Sequence, residues 1–213
     1  MRLLTCVLVV ALMFVGTASA AAPVHTDKGD KALVFGFQGL NDLGLTGPLG
    51  YWSVGMRYYI ADMSALRAVL SYGSDSWTDK GLEEGEDDYE YKESEMGIGL
   101  AYERHLEAPC ASVSPYLGAG INYYKWSEEG PVEDTRDYPV ETEDESGFYV
   151  FGMAGFEWGF TECMTLGGEY QLGFESGSYS DEVEYSGDST TVDEEEWSWM
   201  GFSTASVFLS VYW

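Results

Sequence analysis

Ala205-Ser-Val-Phe-Leu-Ser-Val-Tyr-Trp213 alternates. Ala205, Val207, Leu209 and Val211 share one face; Thr204, Ser206, Ser210 and Tyr212 mostly fill the other. A period of two with one apolar face predicts a strand with an apolar medium on one side. Working outward, seven more segments read as strands: 31–39, 50–60, 64–73, 94–105, 113–125, 147–160 and 165–175, with the last spanning 197–213. Most reach the ~9–11 residues that a tilted membrane strand needs.

The opposite end predicts an export route. Arg2 is followed by an apolar run from Leu3 to Val15, and Ala18-Ser19-Ala20 reads as an A-x-A cleavage site. Residues 1–20 are therefore expected to be a signal peptide, 21–30 a short periplasmic leader and 31–213 the barrel domain. Cys6 is not at the end of the apolar run, so a lipid anchor is not expected. Beyond residue 20 no apolar stretch approaches the ~20 residues of a membrane helix. A closed barrel is the other way to satisfy a backbone in lipid.

Without the leader, and so without Arg2, nine Lys+Arg stand against 37 Asp+Glu, a balance of −28. Nucleic-acid binding needs basic patches and is excluded as a partner class. Gly (26) and Tyr (16) are abundant, as in strands with one row in lipid and one in a polar lumen.

The connections alternate in length. Residues 61–63, 106–112 and 161–164 are short; 74–93, 126–146 and 176–196 are long, with a moderate loop at 40–49. Short periplasmic turns and long external loops are the pattern of outer-membrane barrels. The expected fold is all-β: an eight-stranded antiparallel up-and-down transmembrane β-barrel, with three acidic loops outside. Residues 75–95, 128–145 and 175–196 hold 28 of the 37 acidic groups.

Parity assigns the faces. Trp52, Val54, Met56, Tyr58 and Ile60 are expected to face lipid, as are Met96, Ile98, Leu100 and Tyr102, and Leu117, Ala119, Ile121 and Tyr123. Ser53, Gly55, Arg57 and Tyr59 turn inward, with Gly97, Gly99, Ala101 and Glu103, and Gly118, Gly120 and Asn122. Small inward residues suit the narrow interior of eight strands. Two aromatic girdles are expected: Trp52, Tyr72, Trp126, Trp197 and Trp199 outside, and Tyr58, Tyr102, Trp158, Phe160 and Trp213 on the periplasmic side.

These segments carry a resemblance. Gly50-Tyr-Trp-Ser-Val-Gly-Met-Arg-Tyr-Tyr59 with Ala65-Leu-Arg-Ala-Val-Leu-Ser-Tyr-Gly73 looks like strands 2 and 3 of the small OmpA/OmpX-like outer-membrane barrels. Ser114-Pro-Tyr-Leu-Gly-Ala-Gly-Ile-Asn-Tyr123 resembles their fifth strand, and Gly155-Phe-Glu-Trp158 and Leu166-Gly-Gly-Glu-Tyr170 their sixth and seventh. Phe208-Leu-Ser-Val-Tyr-Trp213 resembles the signal read by the barrel-assembly machinery, with Trp213 where Phe is usual and Val211 and Leu209 behind it. The resemblance covers about 31–213. It implies a monomer in the bacterial outer membrane, in contact with lipid and lipopolysaccharide. It implies little about function, because fold does not carry function.

Arg57, Arg67, Glu103, Glu157 and Glu169 all read as lumenal. Two cations and three carboxylates in a narrow lumen should pair. They could plug the barrel; they could form a gate whose partners exchange, as proposed for the OmpA family; or, least in keeping with the absence of a cleft, they could do acid–base work. The acidic loops read as solvated charge, as a docking surface in which Tyr89, Tyr91, Tyr138, Tyr179 and Tyr185 supply contact area, or as weak Ca²⁺ or Mg²⁺ sites with Asp87, Asp88, Glu194, Glu195 and Glu196 as ligands. No run matches a calcium loop. Cys110 and Cys163 fall in two periplasmic turns, where a disulfide is plausible if their Cα atoms come within ~7 Å, and two unpaired thiols are the alternative. Outer-membrane lipases, deacylases and proteases resemble one another in carrying a His near the external rim. His25 and His105 are the two histidines, and neither falls there; His105 reads as interfacial beside Arg104. No catalytic residues are assigned. The expected function is non-enzymatic: a surface barrel displaying acidic loops for envelope integrity or surface contact, with a narrow cation-favouring pore as the alternative.

Overall fold

The computed structural model describes residues 22–37, 52–79, 89–131, 140–185 and 188–213. The expected signal peptide, the expected loop at 40–49, Asp87, Asp88 and Tyr138 lie outside these residues. Eight antiparallel strands run in chain order: β1 Lys31–Phe37, β2 Trp52–Ala61, β3 Ser64–Asp79, β4 Tyr89–His105, β5 Val113–Pro131, β6 Val140–Thr161, β7 Met164–Tyr185 and β8 Asp188–Tyr212. Each pairs with its sequence neighbours, and β1 closes the ring on β8 through Ala32 opposite Tyr212 to Phe37 opposite Val207.

The polarity of the ring is inverted. Val54, Met56, Leu66, Leu70, Met96, Ile98, Leu100, Leu117 and Phe148 stand on the outward rows, exposed by 44–60%. Arg57, Glu103 and Glu157 stand on the inward rows and are fully buried. The alternation that predicts these rows holds along β2, β4 and β5.

Three expectations change. The strands are longer than 165–175, 147–160 or 64–73, because pairing runs on through the acidic segments taken for loops. Ladder hydrogen bonds continue wherever side chains can point to water, even where β-propensity is low. Second, Trp126 lies on the inward row of β5 with Asn122 and Tyr124, and its indole N–H donates to Glu93 at 2.8 Å. Third, a bulge sets Tyr170 opposite Ala205 but Leu172 opposite Phe202. The extra residue in β8 flips its parity. Trp197 thus falls on the inward row of register, opposite Gly177. Of the girdle expected at that end, Tyr72 stands on the outward row, 67% exposed.

The two ends differ. At the turn end, tight connections join β2 to β3, β4 to β5 and β6 to β7, and Trp213 is exposed beside them. Asp62-Met63 makes the first of these; Met63 adopts φ 59°, its N–H donating to Thr26 and its carbonyl accepting from His105 N–H. At the other end, the mouth end, β3 to β8 extend beyond the described residues of β1 and β2.

Candidate functional site

Inward parity brings five distant charges together near the turn end. Arg57 Nε lies 2.6 Å from Glu103 Oε2, and Arg57 Nη1 donates to Glu157 Oε1 at 2.6 Å. Arg67 Nε sits 3.1 Å from Glu103 Oε1, and its Nη2 bridges both oxygens of Glu169 at 2.8 Å. The Nε contacts are ion pairs without hydrogen-bond alignment. The strands explain the convergence: Arg57 and Arg67 are register partners on β2 and β3, while the glutamates come from β4, β6 and β7 across a narrow interior.

Neutral donors complete the carboxylates. Thr165, Ser210 and Tyr212 hydroxyls donate to Glu157 at 2.9 Å each. Tyr116 donates to Glu169 at 2.6 Å, and Gln171 at 2.7 Å. Such partners are what make buried charge tolerable. Phe208 lies across the two guanidinium groups, 5.6 Å from Arg57 and 6.0 Å from Arg67. Against the charges, Val34, Ala101, Tyr116, Tyr149, Phe151, Met153 and Phe208 pack as a buried cluster. At this level the inward side chains are buried against one another.

His105 corrects its expected place. It is buried inside the ring rather than interfacial, because its parity matches Glu103. Its Nε2 is 3.0 Å from Tyr59 Oη and 3.5 Å from Glu103 Oε2; its Nδ1 is 2.8 Å from Ser114 Oγ. Serine, histidine and carboxylate thus meet, but all three are buried and Glu103 is committed to two arginines. Sequence reasoning missed Tyr59, His105, Ser114, Thr165, Ser210 and Tyr212 as partners of the network. Their shared inward parity was the available signal.

Toward the mouth end the inward rows carry carboxylates facing carboxylates. Register sets Asp75 opposite Glu93, Glu93 opposite Glu128, Glu128 opposite Glu143, Glu143 opposite Asp181 and Asp181 opposite Asp193. Like charges directly opposite are destabilising. Partial burial, then Glu143 and Glu93, push the Glu128 carboxyl above its ordinary value. Glu141 rises through partial burial and then Asp181. Tyr179 is pushed up to about 12 by partial burial and by Glu143 and Asp181. Aromatic rings share the region: Trp77 stacks on Tyr91 at 5.3 Å.

Of the expected cation ligands, Asp87 and Asp88 lie outside the described residues. Glu194, Glu195 and Glu196 are consecutive residues of β8, and Glu195 and Glu196, adjacent on the strand and so on opposite faces, are exposed. Among the described residues no group of three His, Cys, Asp or Glu is placed to hold a metal ion.

Cys110 and Cys163 are exposed free thiols, not a disulfide. Each bonds within its own turn, Cys110 Sγ lying 2.8 Å from Ser112 Oγ and Cys163 Sγ 3.8 Å from Thr161 Oγ1. The hydrogen bond to Ser112 holds the Cys110 thiol below its ordinary value. The backbone of residues 22–25 is bonded to the Cys110 turn and to β6 beside the Cys163 turn, with Val24 N–H donating to Ala111 and Ala22 N–H to Gly159.

No protein-family model matches the sequence, and comparison with curated proteins finds no match.

Proposed function

We propose that the chain is an outer-membrane β-barrel of the OmpA/OmpX-like kind, exported through the signal peptide at 1–20 and spanning the bilayer once as a monomeric ring. The observation that carries this reading is the inverted polarity. A ring with Leu70, Met96, Ile98 and Leu100 outward and Arg57, Glu103 and Glu157 buried inside suits lipid outside and a filled lumen inside. Closure leaves no unpaired edge in the hydrocarbon.

Its role is non-enzymatic. The acidic strand ends project from the outer surface, beside lipopolysaccharide, and serve envelope integrity or contact with external partners. The side-chain plug supports a closed lumen. The second reading, a narrow cation-favouring pore gated by Arg57 and the glutamates, draws support from the carboxylates along the mouth.

Refolding tests the first reading. Residues 21–213, diluted from urea into phospholipid vesicles, are expected to fold and float with the lipid, and to precipitate in buffer alone. A folded, water-soluble chain would overturn it. Planar-bilayer recording separates the two roles: silence fits the plug, and reproducible cation-selective steps fit the pore.

A further inference from the structure

The segment before β1 is not a loose leader. Residues 22–30 cross the turn end and bond to all three tight turns. Ala22 N–H donates to Gly159 at 3.1 Å and Val24 N–H to Ala111 at 3.0 Å. Thr26 carbonyl accepts from Met63 N–H at 2.7 Å, and Gly29 N–H donates to Tyr59 at 2.9 Å. His25 Nε2 meets the Glu162 carbonyl at 2.6 Å, and Lys28 N–H donates to the Asp62 carboxylate at 3.0 Å. Pro23 falls at an alternate position, where its missing N–H costs no pairing.

The strap has an inner and an outer side. Ala22 and Val24 are buried, while Pro23 and His25 are exposed. His25 stacks on Tyr212 at 5.2 Å, and Tyr212 in turn donates to Glu157. Gly29 then turns the chain at φ 100°, and Asp30 carbonyl accepts from Tyr59 N–H as β1 begins.

Gly159 carries an independent sign that the seat is built for the strap. A Cβ there would run into the Ala22 carbonyl group. The residue is a glycine where the strap backbone passes against the ring.

We infer that residues 22–30 are a built-in stopper, a strap that seals the turn end of the lumen and keeps water from the Arg57–Glu103–Glu157 network, so that its release is the step that hydrates the lumen. The inference concerns the ring itself and holds whether or not the ring sits in lipid.

Thiol labelling tests it. Ser114→Cys is placed inside the turn end in a Cys110→Ser, Cys163→Ser background, and a charged, impermeant methanethiosulfonate reports its accessibility. With the strap present, labelling is expected to be slow. Deleting 22–29, or substituting Gly159→Leu in the full mature chain, should speed it at least about tenfold. Ser176→Cys, exposed at the other end, should label equally in every variant. Equal Ser114→Cys rates with and without the strap, in chains that retain their β-sheet circular dichroism, would overturn the inference. Amide exchange of the unmodified mature chain tests it without any variant. Slow exchange at Val24 and Gly29 is expected, and exchange at the rate of a free peptide would overturn it.

Discussion

The two halves of the interior use the same carboxylates to opposite effect. At the turn end, Glu103, Glu157 and Glu169 meet Arg57 and Arg67 within 3.1 Å and are closed off from water. At the mouth end, Glu93, Glu128, Glu143 and Asp181 face one another across successive strands. Lys92 near Glu129 and Lys125 near Asp144 stand half-exposed on the outward rows at that level, not among these carboxylates. Burial converts a charge into a fixed structural part only where a partner is supplied. Where partners are missing, water must screen the charge, and the strands must stay wet.

That contrast can be broken most forcefully at Arg57. Replacing Arg57 with Ala leaves Glu103 and Glu157 buried and uncompensated, and is expected to cost about 3–5 kcal/mol. The urea midpoint of the refolded protein measures it. Glu143→Ala at the other end should leave that midpoint unchanged or raise it. An equal loss at both sites would end the distinction. Packing comes next in size. A side chain at Gly167 would strike the Phe208 ring that covers both arginines. Gly167→Val is expected to cost about 1–3 kcal/mol, read from the same titration.

Smaller effects sharpen the picture at the mouth. Glu128→Lys converts a repulsive neighbour of Glu93 and Glu143 into an attractive one, worth about 0.2–1 kcal/mol locally. Amides of 126–130 and 141–146 should then exchange more slowly. Acid should act in the same direction. Glu128 and Glu141 hold their protons more tightly in the folded chain than carboxyls in an unfolded one do. Between the unfolded and the folded pKa, the folded state therefore binds more protons, and stability falls as pH rises. Protection of the mouth-end amides is expected to increase as pH drops from neutrality toward the ordinary carboxylate range, ~4–4.5. A decrease would show that the strand ends are held by ionised carboxylates.

Much of this was legible in the residues. Parity along Trp52–Ile60 and Glu95–Glu103 places the inward charges, because one buried face fixes register strongly. The network's hydroxyl partners share that parity but give no chemical signal of their own; Ser210 and Thr165 look like ordinary strand residues. The mouth-end strands were hidden because acidic, serine-rich runs such as Ser176–Glu184 have the composition of loops. The β8 bulge was hidden because a single inserted residue leaves the hydrophobic count unchanged, so Trp197 was assigned to the wrong face. The strap was hidden by its length, too short for periodicity to speak.

The central claim is that the outward rows meet hydrocarbon while the inward rows do not. A nitroxide scan along β4 tests it most directly. Single cysteines are placed at Met96, Gly97, Ile98, Gly99, Leu100 and Ala101 in the Cys110→Ser, Cys163→Ser background, and the spin-labelled chains are refolded into vesicles. The account predicts high oxygen accessibility at 96, 98 and 100 and low values at 97, 99 and 101, a period of two. Preferential access of a water-soluble relaxation agent at 98 and 100 would contradict it.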